Sequence, residues 1–109
     1  MGVGKSGHIA QKISATLSST GTPSIFIHPT GAAHGDMGII NKKDIVMLIS
    51  NSGETEEIIN ILSSLKRHAK EIVALSGNNK SSVHIIFYSY QIKTIHLLKP
   101  SPYLEHYYQ

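Results

Sequence analysis

Ser50-Asn51-Ser52-Gly53-Glu54-Thr55 is the stretch whose residue types and spacing first suggest chemistry. Three hydroxyls surround a glycine that allows close approach to backbone N–H groups, a cradle suited to an anion such as a phosphate. The same residues also read as a helix cap, with Ser52 as N-cap and the glutamates set against the helix dipole. The two readings are compatible. Three acids beside a phosphate would repel it, so at least one must face elsewhere. Glu57, one turn into the helix that follows, is the candidate base near such a ligand. Lys5 can supply a point charge for a phosphate or an oxyanion. Gly4-Lys5-Ser6 matches only the end of a Walker A loop, which argues against a nucleotide-binding P-loop. His34 sits in a Gly-rich connection two residues before Asp36, a suitable place and side chain for proton transfer. His34 and Asp36 are too few ligands for a metal site, and none is expected.

These residues need a scaffold, and the flanking patterns supply one. Ile9, Ile13 and Leu17 recur every four positions between Gly7 and Thr20, an amphipathic helix that Gly21 and Pro23 would end. Ser24 to His28 and Asp44 to Ile49 are short, apolar and β-branched, and read as buried strands. Glu56 to Ala69 is a second helix, with Ile58, Leu62 and Leu65 on one stripe and Ile59 widening it. Glu71 to Leu75 is a third strand, stopped by Gly77-Asn78-Asn79. Uninterrupted apolar strands alternating with helices predict an α/β fold with a parallel sheet covered on both faces. In such sheets ligands bind beyond the carboxyl ends of the strands, where the loops at Gly2 to Gly7, Thr30 to Asp36 and Ser50 to Thr55 would lie.

The chain has 109 residues, enough for one modest core. It has no Cys, which excludes a disulfide scaffold, a zinc ribbon and a thiol nucleophile together. No apolar run approaches the roughly 20 residues that cross a bilayer, and the start has no secretory h-region. A soluble, cytoplasmic protein without membrane partners is expected. The net charge of +3 comes from scattered Lys and Arg rather than a basic run, so nucleic acid is not an expected partner.

Taken together, four stretches resemble the sugar isomerase (SIS) domain, specifically the bacterial arabinose-5-phosphate isomerases. They are Gly2-Val3-Gly4-Lys5-Ser6-Gly7-His8, Ser19-Thr20-Gly21-Thr22-Pro23, His28-Pro29 with Ala33-His34-Gly35-Asp36-Met37-Gly38, and Ile49 to Glu57. The resemblance runs from Met1 to about Asn79 without gaps. It implies a doubly wound, flavodoxin- or Rossmann-like sheet. The activity it implies is interconversion of arabinose 5-phosphate and ribulose 5-phosphate through an enediol, without nicotinamide or flavin. That reaction feeds 3-deoxy-D-manno-octulosonate synthesis for lipopolysaccharide or capsule. By resemblance, Ser50, Ser52, Gly53 and Thr55 would hold the sugar phosphate, and Lys5, His34 and Glu57 would be the catalytic candidates. A non-catalytic phosphosugar-binding module of the same family is the alternative.

The sequence also departs from that family. The family has helices and a first strand before Gly-x-Gly-Lys-Ser-Gly, and continues past the third strand into a Glu-Ala-Cys-Pro-Leu segment and helices carrying another catalytic His. The expectation is therefore an incomplete single SIS domain over residues 1–79, lacking catalytic groups and the helices that make relatives homo-oligomeric. Residues 80–109 contain no Gly and no Ala and have lost the family pattern, while all five Tyr lie at or after Tyr88. They read as a divergent or out-of-frame tail, or else as a genuine segment with strands at Val83 to Tyr88 and Ile92 to Leu98.

Overall fold

Among the described residues, three parallel strands organise the chain. The computed structural model describes residues 1–51, 55–77 and, for the backbone, 93–96. Strands β1 (Ile45–Ser50), β2 (Glu71–Ser76) and β3 (Lys93–His96) lie in the order β1-β2-β3, all parallel. β1 and β2 pair from Ile45 opposite Glu71 to Ser50 opposite Ser76, so both end together at their carboxyl edge. β3 falls within the Ile92 to Leu98 segment, while the Val83 to Tyr88 segment lies outside the described residues. The parallel α/β class expected from the apolar strands is present.

Helix α1 (Lys5–Ser19) ends as expected at Gly21. Thr22 N–H donates to Leu17 at 2.9 Å and Gly21 N–H to Ser18 at 3.3 Å. This Schellman turn requires the φ of 99° that glycine adopts freely. The Gly-rich connection, read as loop, instead holds helix α2 (Pro29–Ala33) and a 3₁₀ turn at Asp36–Ile39. Pro29 suits the first helical position, and His28 caps it, with Nδ1 accepting from Thr30 N–H at 3.1 Å.

The second predicted helix is divided in two, α3 (Glu56–Ile59) and α4 (Leu62–His68). At the break Ile61 N–H bonds three residues back, to Ile58, before the ordinary spacing resumes with Leu65 N–H to Ile61. Tightening the turn there brings Ile58, Ile61, Leu62 and Leu65 all into the core. They pack against Val46, Leu48, Ile72 and Ala74, which share one face of the sheet, and against Ala32, Met37 and Ile40.

The other face of β1 is thinly covered. Ile45 is 61% exposed and Met47 36%, although alternation places them beside buried Ile49. Of α1, Gly7 and Ala10 are buried, whereas the Ile9 of the expected stripe is exposed and Ile13 and Leu17 line a cavity of about 540 Å³. That cavity also explains a correction. Ser24 to His28, expected as a strand, forms none and pairs with no strand among the described residues, and its residues Ser24 to Ile27 line the cavity. A β-branched apolar run becomes a strand only when a neighbouring backbone meets it, and here β1 stands across the gap.

Candidate functional site

Two of the expected loops meet at the carboxyl end of β1. Met1 and Gly2 run alongside β1: the Met1 amine donates to the Met47 carbonyl at 2.7 Å, and Ile49 N–H to the Met1 carbonyl at 2.9 Å. Gly2 thereby forms a parallel bridge with Ile49, one residue before Ser50. The chain then turns sharply into α1. A methyl group on Gly2 would lie 2.7 Å from the Ser6 carbonyl oxygen, and one on Gly7 2.9 Å from the Gly2 oxygen. Both neighbours are backbone and cannot swing aside. Gly2→Ala is expected to cost about 1–3 kcal/mol of stability through this overpacking. Chemical denaturation of the variant measures it, with exposed Gly38, which has open space around it, as the control substitution.

This turn starts a 15-residue helix with no side-chain cap and no acid in its first turn. The N–H groups of Lys5 and Ser6 are thus left at the positive end of the α1 dipole, next to the end of β1. Beside them Ser50, 4% exposed, closes β1, and its Oγ lies 2.7 Å from Oγ1 of Thr55. Thr55 is the residue before α3, and its carbonyl accepts from Ile58 and Ile59 N–H. Thr55, rather than Ser52, therefore holds the N-cap position. Ser52 and Gly53 of the expected cradle lie outside the described residues.

Lys5 is the first residue of α1 and is exposed. His34 follows α2 as its C-cap, also exposed, with its N–H bonded to the Gly31 carbonyl at 3.0 Å. Glu57 is the second residue of α3 and is exposed. α2 and α3 are in contact, which puts His34 and Glu57 on neighbouring elements. Among the described residues no hydrogen bond joins any two of Lys5, His34 and Glu57. Nor does any group of three His, Cys, Asp or Glu in them have the geometry of a metal site.

One polar residue here was not singled out by the sequence reading. Ser76 closes β2 opposite Ser50 and is 3% exposed. Just beyond, Gly77 N–H donates to the Asn51 carbonyl at 3.2 Å, tying the two strand ends together. The signal available was its position: Ser76 ends an apolar strand as Ser50 does, a serine at each carboxyl terminus.

β1 and β2 end together, two hydroxyls are in contact at the end of β1, and the chain enters α1 just after its bridge to Ile49, all at the edge where open parallel α/β sheets bind their ligands. A family model for the SIS domain matches residues 1–85, and the chain belongs to that family. Over 81 residues it is 53% identical to arabinose 5-phosphate isomerase KdsD of Pseudomonas aeruginosa, covering 74% of this chain and 25% of that protein. It is 55% identical over 82 residues to arabinose 5-phosphate isomerase KpsF of Escherichia coli O6:H1, covering 75% and 25%. The chain therefore spans about a quarter of the length of these curated relatives. Among solved structures it is similar to E. coli CFT073 c3406 in complex with arabinose 5-phosphate. The TM-score is 0.80 and the identity 46%, over 92% of this chain and 51% of that one.

Proposed function

We propose that this chain binds a sugar phosphate and is part of an aldose–ketose isomerase acting on arabinose 5-phosphate and ribulose 5-phosphate. The observation that carries the reading is the Ser50–Thr55 hydroxyl pair, 2.7 Å apart, at the end of β1 beside the N-terminus of α1. Hydroxyls can turn their hydrogens toward phosphate oxygens, and the helix end adds N–H donors and positive potential. Similarity to the two isomerases named above and to the solved sugar-phosphate complex supports the choice of sugar. Ser52 and Gly53 would complete the cradle.

The reaction needs a base to take the proton from C2 of the aldose, while the carbonyl oxygen at C1 is protonated. The electron pair left at C2 forms the enediol. Return of a proton to C1 and loss of the O2 proton then give the ketose, with no net change in redox state and no cofactor. Glu57 and His34, on contacting elements, are the proposed proton-transfer or ligand-orienting groups, and Lys5 the cation facing the carbonyl or the phosphate. Such an isomerase would act in the cytoplasm, in lipopolysaccharide or capsule precursor synthesis. We propose that the family pattern gives way to a divergent or out-of-frame segment over residues 80–109, with the family model itself matching as far as residue 85.

A second reading is a non-catalytic phosphosugar-binding module of the same family, which the Ser50–Thr55 hydroxyl pair would serve equally well. One experiment separates the two. Titration with arabinose 5-phosphate is followed calorimetrically, and ribulose 5-phosphate formation is assayed on the same preparation. Binding with turnover supports the isomerase, binding alone supports the second reading, and no binding rejects both. The double variant Ser50→Ala/Thr55→Ala is expected to bind arabinose 5-phosphate at least about tenfold more weakly, since each hydrogen bond to a charged group contributes roughly 1.5–3 kcal/mol. A thermal midpoint within a few degrees of the parent shows that the fold has survived the double substitution.

A further inference from the structure

Gly77 is the first residue after β2, and what calls for a glycine there is room rather than backbone conformation. Its φ is not among the positive values found at Gly4, Gly21 and Gly35, so other residues could adopt its backbone. A side chain, however, has no space. A Cβ on Gly77 would fall on Oδ1 of Asn51, and it would lie 3.3 Å from Asn51 Cγ and 3.2 Å from the Asn51 carbonyl oxygen. The Asn51 carboxamide thus rests against the Gly77 backbone, while the Asn51 carbonyl accepts the Gly77 N–H at 3.2 Å. Main chain and side chain of Asn51 both end on one glycine, a close approach that any larger residue would prevent.

Asn51 is also where the chain leaves β1 for the candidate site. Ser50, just before it, is fixed by the sheet opposite Ser76, and its Oγ meets Oγ1 of Thr55 at 2.7 Å. Thr55 is held from the other side by α3, whose Ile58 and Ile59 N–H groups bond its carbonyl. With both ends anchored, the direction in which the chain departs at Asn51 sets how the two hydroxyls face each other. β2 thereby shapes a site whose described hydroxyls lie at the end of β1 and before α3.

We infer, on the sugar-phosphate reading proposed above, that Gly77 is a positioning residue: by leaving room for the Asn51 carboxamide, it fixes the path of the chain from β1 to the phosphate-binding hydroxyls. Gly77 acts through Asn51 and not by contact with the sugar phosphate. The obstructing Oδ1 and Cγ belong to an exposed side chain that can swing away, so a methyl group at position 77 displaces Asn51 and costs the fold little. Gly2 is the opposite case: its neighbours are backbone, and a methyl group there is paid in stability.

Gly77→Ala tests this with arabinose 5-phosphate as the probe, beside Gly38→Ala, a substitution into open space, as the control. Gly77→Ala is expected to bind at least about fivefold more weakly, since small displacements of positioning groups have large effects, with a thermal midpoint within a few degrees of the parent. In an Asn51→Ala background the same substitution should change affinity less than about twofold, because the carboxamide it displaces is gone. Equal losses in both backgrounds, or parental affinity in Gly77→Ala, would overturn the inference. The backbone amide resonance of Thr55 supplies a reading without ligand. It should move in Gly77→Ala and stay in place in Gly38→Ala; an unmoved Thr55 also rejects the positioning role. If the parent itself does not bind arabinose 5-phosphate, the proposed function falls, and the Thr55 resonance alone decides whether Gly77 orders this edge. Should Gly77→Ala not fold, Asn51→Ala replaces it: removing the carboxamide from its seat is expected to move Thr55 and weaken binding, and a chain unchanged in both respects rejects the role.

Discussion

Leu65→Ala is expected to lower the stability of this chain by about 2–5 kcal/mol, which is enough to leave much of it unfolded at 37 °C. Leu65 is 0% exposed and lies on α4, whose inner residues meet β2 and the 3₁₀ turn. Its neighbours in the core come from separate elements: Ile58 from α3, Leu48 from β1, Ile72 and Ala74 from β2. Truncation removes the transfer free energy of the side chain and leaves a hole. The hole cannot close easily, because the Ile61 and Ala69 backbone bonds on either side of Leu65 hold α4 in place. Urea unfolding checks the value, with the midpoint falling and the slope unchanged. Leu65→Met, which keeps the volume, should cost less than about 1.5 kcal/mol, and exposed Lys66→Ala less than about 0.5 kcal/mol. If all three substitutions cost the same, α4 does not anchor the core.

That core was legible because its residues obey simple periods. Val46, Leu48, Ile72 and Ala74 alternate along their strands, and Ile58, Leu62 and Leu65 repeat at helical spacing. Ser24 to His28 has the same local signature as β1, yet it is not a strand, because pairing depends on a partner that its own sequence cannot report. The failure of the α1 stripe has the same origin. Ile13 and Leu17 have the spacing of a buried face, and the structure gives them a cavity wall instead. The break at Asn60-Ile61 was hidden for another reason: neither residue is a helix breaker, and the tightened turn arises from packing Ile61 inward beside Ile58.

Around the site, residue types revealed more than arrangement did. Hydroxyls and glycine after an apolar strand pointed to an anion cradle, but that Ser50 and Thr55 would be the pair in contact depends on where α3 starts. The Gly-rich loops at Gly2 to Gly7 and Thr30 to Asp36 were placed at the same edge by topology alone. For Gly2 the reason is now visible: the chain must pass within van der Waals range of Ser6 while its own backbone bridges β1.

Stability is expected to rise with pH between about 6 and 8, through the Met1 amine. Burial at the β1 edge lowers the pKa of this group from 8.0 to about 6, since the charged form loses its hydration there. The unfolded chain therefore binds more protons than the folded one throughout that window, and unfolding becomes more favourable as pH falls from 8 toward 6. Below about 6 both states are protonated and the penalty is constant, at most about 3 kcal/mol for a shift of two units. The bond from the amine to Met47 C=O survives in either form, so the penalty reflects desolvation rather than a lost donor. Thermal midpoints from pH 5.5 to 8.5 measure the slope. Acetylation of the amine removes the titrating group, so the parent should lose several degrees relative to the acetylated chain on going from pH 8 to pH 6. Identical profiles would place the amine in water and detach Met1 from β1. The difference between the two curves isolates the one ionisation that depends on Met1 lying in the sheet.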